Sequence, residues 1–476
     1  MMGDKTVDSI YFGTDGWRGI IGETFTFENV RRVAQGVAHL LKNRGVLNKT
    51  VVIGYDCRFM SEFFARAVYD ELIVAGVHAA LSDRPIPTPA LSFAAAGRGC
   101  ILGIMITASH NPHFYNGIKF KAHYGGPVMP EFTVEMSRLL KRLKHASNTA
   151  PVYAPPIRMK DFLTPYLNAL RSYADFSLLK NARLKVAVDS MHAAGGNLFE
   201  QLLKNTSIRI VSIRTERNPL FDYDLPEPAP PLLESLAKLV RREGCDVGLA
   251  TDGDADRIGI VDSSGQFVTL HYLMPLLYEY LTHSRRIKGD AVRTTSTDNL
   301  FDEVCTSLGR RCYEVPVGFG NICEVALERD ILVGGEESGG VCYKNHIPER
   351  DGLLSGLLVL EMMAAKKMSL VEMVRDMARR FHPVEYLRID KVFEQEKLRS
   401  NLAVLRNEPP ERLAGTRVVS IDLKDGIKFY LQNGCWMLMR VSDTEPKGRI
   451  YVGGPNLKDV RKTLRAGELL LFRKYF

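Results

Sequence analysis

The chain lacks any CxxC pair. Its eight cysteines are scattered, and Cys305, Cys312 and Cys323 are spaced too widely for a zinc knuckle. Cys245, Cys342 and Cys435 sit in apolar runs, where a free buried thiol is the plain expectation, and the set suits a reducing compartment. The opening MMGDKTVDSIYFGTDG has neither the charged n-region nor the apolar h-region of a secretory signal. The longest apolar stretch, Leu353 to Ala365 (LLSGLLVLEMMAA), contains Glu361 and falls short of the roughly 20 residues that span a bilayer. These absences set the expectation of a cytoplasmic protein. There is no low-complexity tail. Lys and Arg are spread along the chain, with only short clusters such as KRLKH at Lys141 to His145, and no nucleic-acid-binding signature accompanies them.

What is present is ordinary for a large globular protein. Of 476 residues, 45% are apolar and 25% charged, and that length suggests about three domains or more. A net charge of +8 and a pI near 8.9 are compatible with nucleic acid but suit small anionic ligands equally well.

Apolar runs that end in loops alternate with segments of helical period, which predicts parallel sheets in α/β layers. Three strands, TVVIGYD (Thr50 to Asp56), LKVAVDS (Leu184 to Ser190) and DAVRTTSTD (Asp290 to Asp298), open similar segments. Each is followed by a second apolar run that empties into a loop: ILGIMITASH (Ile101 to His110), CDVGLATDGDADR (Cys245 to Arg257) and DILVGGEESGG (Asp330 to Gly340). This predicts three copies of one α/β unit, each presenting a loop at the carboxyl end of a strand, where ligands of open α/β sheets collect. From about Val384 the pattern becomes short alternating strands (TRVVSIDL, GIKFYLQ, CWMLMRVS, RIYVGG) and a helix from Leu457 to Phe472, a smaller α+β domain. The proline-rich stretches Ala154 to Pro156 and Pro226 to Pro231 read as connections.

Three loops carry chemistry by residue type. In DGDADR, Asp252, Asp254 and Asp256 alternate and could converge on a hard cation such as Mg²⁺, since packed carboxylates repel one another. An EF-hand fails, because Arg257 and Ser263 stand where glycine and glutamate are needed. An acidic turn in water is the plain alternative. In TASHNP, Ser109 has no G-x-S-x-G setting, and His110 is too near in sequence for a hydrolase triad. A catalytic Ser109 stands against a hydroxyl-bonded turn or a plain strand-to-helix turn. Beside a metal loop, phosphoryl transfer to and from its oxygen becomes the natural chemistry. Lys119 is either a solvated lysine or a base near that phosphate. In RVSDTEPKGRIYV, Arg440, Ser442, Thr444 and Arg449 suit a phosphate dianion, or form a hairpin with exposed arginines.

Taken together, FGTDGWRG (Phe12 to Gly19), TASHNP (Thr107 to Pro112), DGDADR, GGEESGG (Gly334 to Gly340) and RVSDTEP (Arg440 to Pro446) resemble the signature loops of the α-D-phosphohexomutases, in the family's order and across nearly the whole chain. The resemblance implies three similar mixed α/β/α domains plus a smaller C-terminal α+β domain in a heart-shaped, four-domain arrangement. On this reading residues 1–157 carry the phosphoserine loop, 158–264 the metal loop, 265–383 the sugar loop and 384–476 the phosphate loop. It implies a phosphoserine enzyme, with Mg²⁺ held by Asp252, Asp254, Asp256 and the Ser109 phosphate. Hexose 1-phosphate and 6-phosphate would interconvert through a hexose 1,6-bisphosphate. By position, Arg18 and His110 support the Ser109 phosphate, Lys119 matches the general base and Arg257 follows the metal aspartates. Glu336 and Ser338 match the readers of sugar hydroxyls, while Arg440, Ser442, Thr444 and Arg449 fall in the clamp on the distant phosphate. The implied partners are small-molecule sugar phosphates, with no nucleic acid and no membrane, on a monomer or homodimer.

Two positions depart from the family pattern. Gly320 stands after VGF where many members carry a lysine, and Gly340 where some carry a histidine that moves protons. Either Lys119 moves both protons or another titratable group does; His346, in KNHIPERD, is the only histidine close behind the sugar loop, with a packing role before Pro348 as its plain alternative. Glucose and mannose phosphates are the expected substrates, because phosphoglucosamine mutases usually show glutamine at the Glu337 position. The alternatives are a phosphoglucosamine mutase and a catalytically weak sugar-phosphate-binding homologue.

Overall fold

The computed structural model describes residues 10–13, 15–143, 157–441 and 447–472. They form two compact units, one of residues 1–268, 326–328 and 338–371, the other of residues 269–325, 329–337 and 372–476.

In the first unit, Thr50–Tyr55 is central to a six-stranded sheet and pairs in parallel with both His78–Ser82 and Cys100–Ile106. The chain then turns back: Tyr115–Ala122 runs antiparallel to Cys100–Ile106, and Trp17–Ile20 lies antiparallel at its far side. A strand covered on both faces reads as an unbroken apolar run, as TVVIGY does. Val51 and Ile53 join Val33, Val37, Phe64 and Val68 in one core cluster. On the opposite face a Cβ at Gly54 would meet Ile86, Leu91 and Met105.

The second repeat copies this plan. Lys185–Asp189 pairs in parallel with Arg209–Ile213 and Val247–Thr251, and Ile258–Asp262 returns antiparallel. In the second unit Asp290–Thr294 likewise lies between parallel Cys312–Val315 and Ile331–Gly335. Each repeat therefore ends its third strand in a loop that, in the first two, leads to an antiparallel strand. The strand-to-helix turn considered for the serine loop does not form. Pro226–Pro231 is a connection, as expected: it leads within the second repeat to the helix Glu234–Glu243, and the Pro226 carbonyl accepts from Gly253 N at 3.1 Å. Ala154 to Pro156 lie outside the described residues.

The C-terminal strands build an antiparallel sheet in the order Glu385–Val392, Lys447–Gly454, Trp436–Val441, Ile427–Leu431, Thr416–Asp422, Arg412–Leu413. Period-two alternation sends Met437 and Met439 into a core with Leu398, Val460 and Leu464, and Trp436 and Leu438 to the other side with Tyr451. Glu385–Val392 and the helix Gln395–Asn407 were not expected from the sequence. The apolar stretch near Leu353 is the buried helix Gly352–Lys366, in which Glu361 accepts from Asp175 N at 2.7 Å. No helix among the described residues is long and apolar enough to cross a membrane, and all eight cysteines are free.

In the second unit His382 bridges Asp298 (2.9 Å) and Glu303 (3.0 Å). The Asp298 hydrogen bond, with both carboxylate charges, outweighs burial and raises the imidazole from 6.5 to about 9. A raised pKa contributes stability that is full below about 6.5 and lost as pH climbs through about 9. The wild-type melting temperature should therefore fall more steeply than that of His382→Gln across this window, as scanning calorimetry can test. Parallel curves would show that the pair contributes nothing.

Candidate active site

The serine loop connects Cys100–Ile106 to Tyr115–Ala122. Ser109 sits at its tip with φ +51° and is 1% exposed. The Thr107 hydroxyl accepts from Ser109 N at 2.9 Å, so Thr107 shapes the turn and the Ser109 hydroxyl is left to donate to Asp252 Oδ2 at 2.8 Å. His110 Nδ1 lies 3.4 Å from the same hydroxyl. Arg58, fully buried, donates to the carbonyls of Ser109 and Asn111 (both 2.6 Å), Pro112 (2.9 Å) and Tyr115 (3.1 Å). Burial lowers this guanidinium to about 10, and Asp56 beside it opposes the shift. Arg18, on the strand paired with Tyr115–Ala122, donates to Asn111 Oδ1 at 2.5 Å.

Asp252, Asp254 and Asp256 occupy the equivalent loop after Val247–Thr251. All are 0% exposed, with one ligand atom from each lying within 4.8 Å of the others. A Cβ at Gly253 would stand 2.0 Å from the Ser109 carbonyl, so glycine lets the two loops meet. Burial pushes the Asp252 carboxyl well up, and the charges of Asp256 and Asp254 push it further. Asp254 Oδ2 is held by Thr88 (2.5 Å) and Lys119 (2.8 Å), while the Oδ1 atoms of Asp254 and Asp256 are buried and accept no hydrogen bond. Buried, unsatisfied carboxylate oxygens aimed into an all-oxygen cluster fit a small hard cation.

Lys119 is 1% exposed on the return strand. Its ammonium contacts Asp254 (2.8 Å), Asp256 (2.9 Å) and Asp15 (3.1 Å). Burial opposes its charge, but these carboxylates outweigh burial and hold it charged above the usual lysine range. Asp15 stays well below the usual carboxylate range: burial would raise it, but Lys119, Lys121 and Arg350 outweigh that. Lys121 pairs with buried Glu349 at 2.5 Å. The Arg257 amide donates to Asp252 Oδ1 at 3.1 Å, and its guanidinium lies between Asp256 (3.9 Å) and Glu227 (4.0 Å).

In the second unit, buried Glu336 accepts from Gly318 N at 3.2 Å. Glu337 accepts from the Ser296 hydroxyl at 2.5 Å and lies 3.8 Å from Arg388. Ser338 is half-buried and belongs to the first unit. Arg440 and Arg449 stand opposite each other on paired strands, Arg440 donating to Asp425 Oδ1 at 3.2 Å and Arg449 lying 3.6 Å from Asp390. Ser442 and Thr444 lie outside the described residues.

Models of phosphoglucomutase/phosphomannomutase α/β/α domains I, II and III match residues 9–147, 164–265 and 270–381. The chain belongs to the α-D-phosphohexomutase family. Its fold is the family's three α/β/α domains with a C-terminal β-rich domain, and its activity class is that of an isomerase, an intramolecular phosphotransferase. A "Phosphoglucomutase/phosphomannomutase" of Thermococcus kodakarensis is 28% identical over 97% of this chain and 98% of that one. A "Probable phosphoglucosamine mutase" of Thermococcus gammatolerans is 30% identical over 97% and 98%. The crystal structure of a "putative phosphomannomutase" from Thermus thermophilus superposes with a TM-score of 0.85 at 34% identity, over 97% of this chain and 99% of that one.

Sequence reasoning missed Arg58, Thr88, Lys121, Glu349 and Arg350, and gave Asp15 no role although it lies in FGTDGWRG. His346 is placed away from Ser109. Its Nε2 bonds Asp351 Oδ2 at 2.9 Å, and its ring packs among Phe93, Tyr166 and Tyr173. Asp351 also caps the helix Gly352–Lys366 and accepts from Tyr166. This is a packing role. His346→Gln should lower the melting temperature while preserving the shape of the pH–rate profile; loss of the acidic limb alone would contradict the assignment.

Proposed function

We propose that this protein is a Mg²⁺-dependent phosphohexomutase that interconverts the 1- and 6-phosphates of glucose, mannose or both. The reading assigns a phosphoserine at Ser109 and a hexose 1,6-bisphosphate intermediate. The observation that carries it is the Ser109 hydroxyl donating to Asp252 at 2.8 Å, inside a buried set of three aspartates. Hydroxyl, carboxylates and a cation site in one place are what phosphoryl transfer through serine needs.

Asp252, Asp254 and Asp256 would hold Mg²⁺, which when bound offsets charge on the phosphoryl oxygens. In the first half-reaction the free sugar hydroxyl oxygen bonds to phosphorus, the bond from phosphorus to Ser109 Oγ breaks, and the hydroxyl proton leaves. In the second, the other phosphoryl group of the bisphosphate passes to Ser109 Oγ and the sugar oxygen regains a proton. Lys119 is the assigned proton carrier. To take the hydroxyl proton it must enter the step as the neutral amine, and the charged form held by Asp15, Asp254 and Asp256 is the one that returns a proton to the sugar oxygen. Arg18, His110 and Arg257 are assigned to stabilise the transferring group. Glu336 and Ser338 are assigned to the sugar hydroxyls, and Arg440, Ser442, Thr444 and Arg449 to the distant phosphate. That last assignment is supported by the opposed Arg440 and Arg449, a paired-guanidinium arrangement suited to a dianion.

For the sugar, Glu337 is engaged by Ser296 and Arg388, so that carboxylate is not open to an ammonium. This favours neutral hexoses. Relatives named phosphoglucosamine mutases support the second reading, glucosamine phosphate.

A mutase assay on glucose, mannose and glucosamine 1-phosphates, with Mg²⁺ and a catalytic amount of hexose bisphosphate, decides between them. Turnover should be fastest on glucose or mannose phosphate; faster turnover on glucosamine phosphate would reverse the assignment. Intact-mass analysis should find one phosphate on a fraction of the protein. Ser109→Ala should remove it and reduce turnover by about 10³-fold or more, as expected for loss of a covalent nucleophile. Phosphate mapped only to other serines would overturn the phosphoserine.

A further inference from the structure

Gly340 has ordinary backbone geometry, yet a Cβ there would stand 2.2 Å from Cδ and 2.6 Å from Cγ of Arg350. The glycine is a notch through which that side chain passes. Arg350 is 4% exposed, and its guanidinium reaches Asp15 Oδ2 at 2.7 Å and Asp256 Oδ2 at 2.9 Å. At its base, Glu349 Oε1 accepts from Arg350 N at 3.0 Å, which fixes the start of the side chain.

The aspartates share one design. Each has an oxygen tied down by the protein: Asp252 Oδ1 by the Arg257 amide, Asp254 Oδ2 by Thr88 and Lys119, Asp256 Oδ2 by Lys119 and Arg350. A carboxylate fixed through one oxygen presents the other in a set direction, and both Asp254 Oδ1 and Asp256 Oδ1 are left without hydrogen bonds. Asp256 differs in that both its ties are side-chain cations, and Lys119 is shared with Asp254 and Asp15. Arg350 is thus the tie that would remain on Asp256 if Lys119 moved during a proton transfer.

We propose that Arg350 is a positioning residue for the cation site, orienting Asp256 and Asp15, and that Gly340 is required because any side chain there expels Arg350. The inference rests on the metal-dependent reading above. Arg350 touches neither the reacting oxygen nor the sugar in this assignment, so its loss should appear in kcat and in Mg²⁺ affinity, with KM for the sugar phosphate nearly unchanged.

The test is a double-mutant cycle on the full chain. Apparent Mg²⁺ affinity is read from the Mg²⁺-dependent rise in melting temperature, and kinetics are measured alongside. Gly340→Ala and Arg350→Ala should each weaken Mg²⁺ binding and kcat about 10- to 100-fold, with KM changed less than about threefold. The double variant should match Arg350→Ala within about twofold, because the notch has no purpose once the arginine is gone. Arg350→Lys should recover part of the loss. If Arg350→Ala does not fold, Gly340→Ala, which removes no charge, carries the test. Wild-type Mg²⁺ affinity in Gly340→Ala, or losses that multiply in the double variant, would overturn the pairing. A wild-type protein whose turnover and melting ignore Mg²⁺ would instead remove the metal reading beneath it.

Discussion

Burying several carboxylates at one point is the constraint on which the first unit is built. Asp15, Asp252, Asp254 and Asp256 meet around Lys119, with Asp252, Asp254 and Asp256 wholly buried. Like charges at such separations in a low-dielectric interior repel strongly, and each ion also loses its hydration. The fold answers with cations from distant segments. Lys119 and Lys121 come from the return strand, Arg350 from the segment before a helix of the third repeat, and Arg18 from the edge strand. Asp252 is still pushed toward its neutral form, by burial first and by Asp256 and Asp254 next. A divalent ion held by the three aspartates would offset the cost of burying them together.

The repeat geometry explains how those segments converge. Each repeat puts its first strand between two parallel neighbours and ends its third strand in a loop. In the first two repeats that loop turns into an antiparallel strand, which brings residues after it back beside residues before it. Lys119 pairs in register with Met105, well before Ser109 in sequence. A helix after the serine loop would have carried Lys119 away from the serine strand. The hairpin-like return is therefore what sets Lys119 beside the strand that leads to Ser109.

The parts legible in the sequence were those with a local signal. TVVIGY, LKVAVDS and CDVGLAT announce buried parallel strands by unbroken apolar runs, and DGDADR announces a cluster of acids by three carboxylates at alternate positions. What was not legible depends on distance. Arg58 sits in an unremarkable YDCRF, and nothing local says that its guanidinium will gather the carbonyls of residues 109 to 115. Arg350 in PERD looks like a surface charge until the fold brings it to Asp15 and Asp256. The strand Glu385–Val392 was missed because its residues are half or fully exposed, which blurs the alternation. The helix Gln395–Asn407 was missed because only Leu398, Asn401 and Leu405 are buried along it. His346 shows the opposite case: sequence left a proton carrier and a packing residue open, and in space it is the partner of a helix cap.

The site also shows why its scaffold must be rigid. Ser109 adopts a left-handed backbone conformation that a non-glycine residue takes only at a cost of about 1–3 kcal/mol when its surroundings impose it. The imposition is visible: Thr107 fixes the Ser109 amide, Arg58 fixes its carbonyl, and Gly253 lies against that carbonyl so closely that no side chain would fit. The left-handed backbone at Ser109 is thus held by fully buried contacts, among them the Arg58 guanidinium. The carboxylates are held in place as well: Asp252 by Ser109 and the Arg257 amide, Asp254 by Thr88 and Lys119, Asp256 by Lys119 and Arg350. Fixed charges around fixed reacting atoms are what phosphoryl transfer asks of a protein.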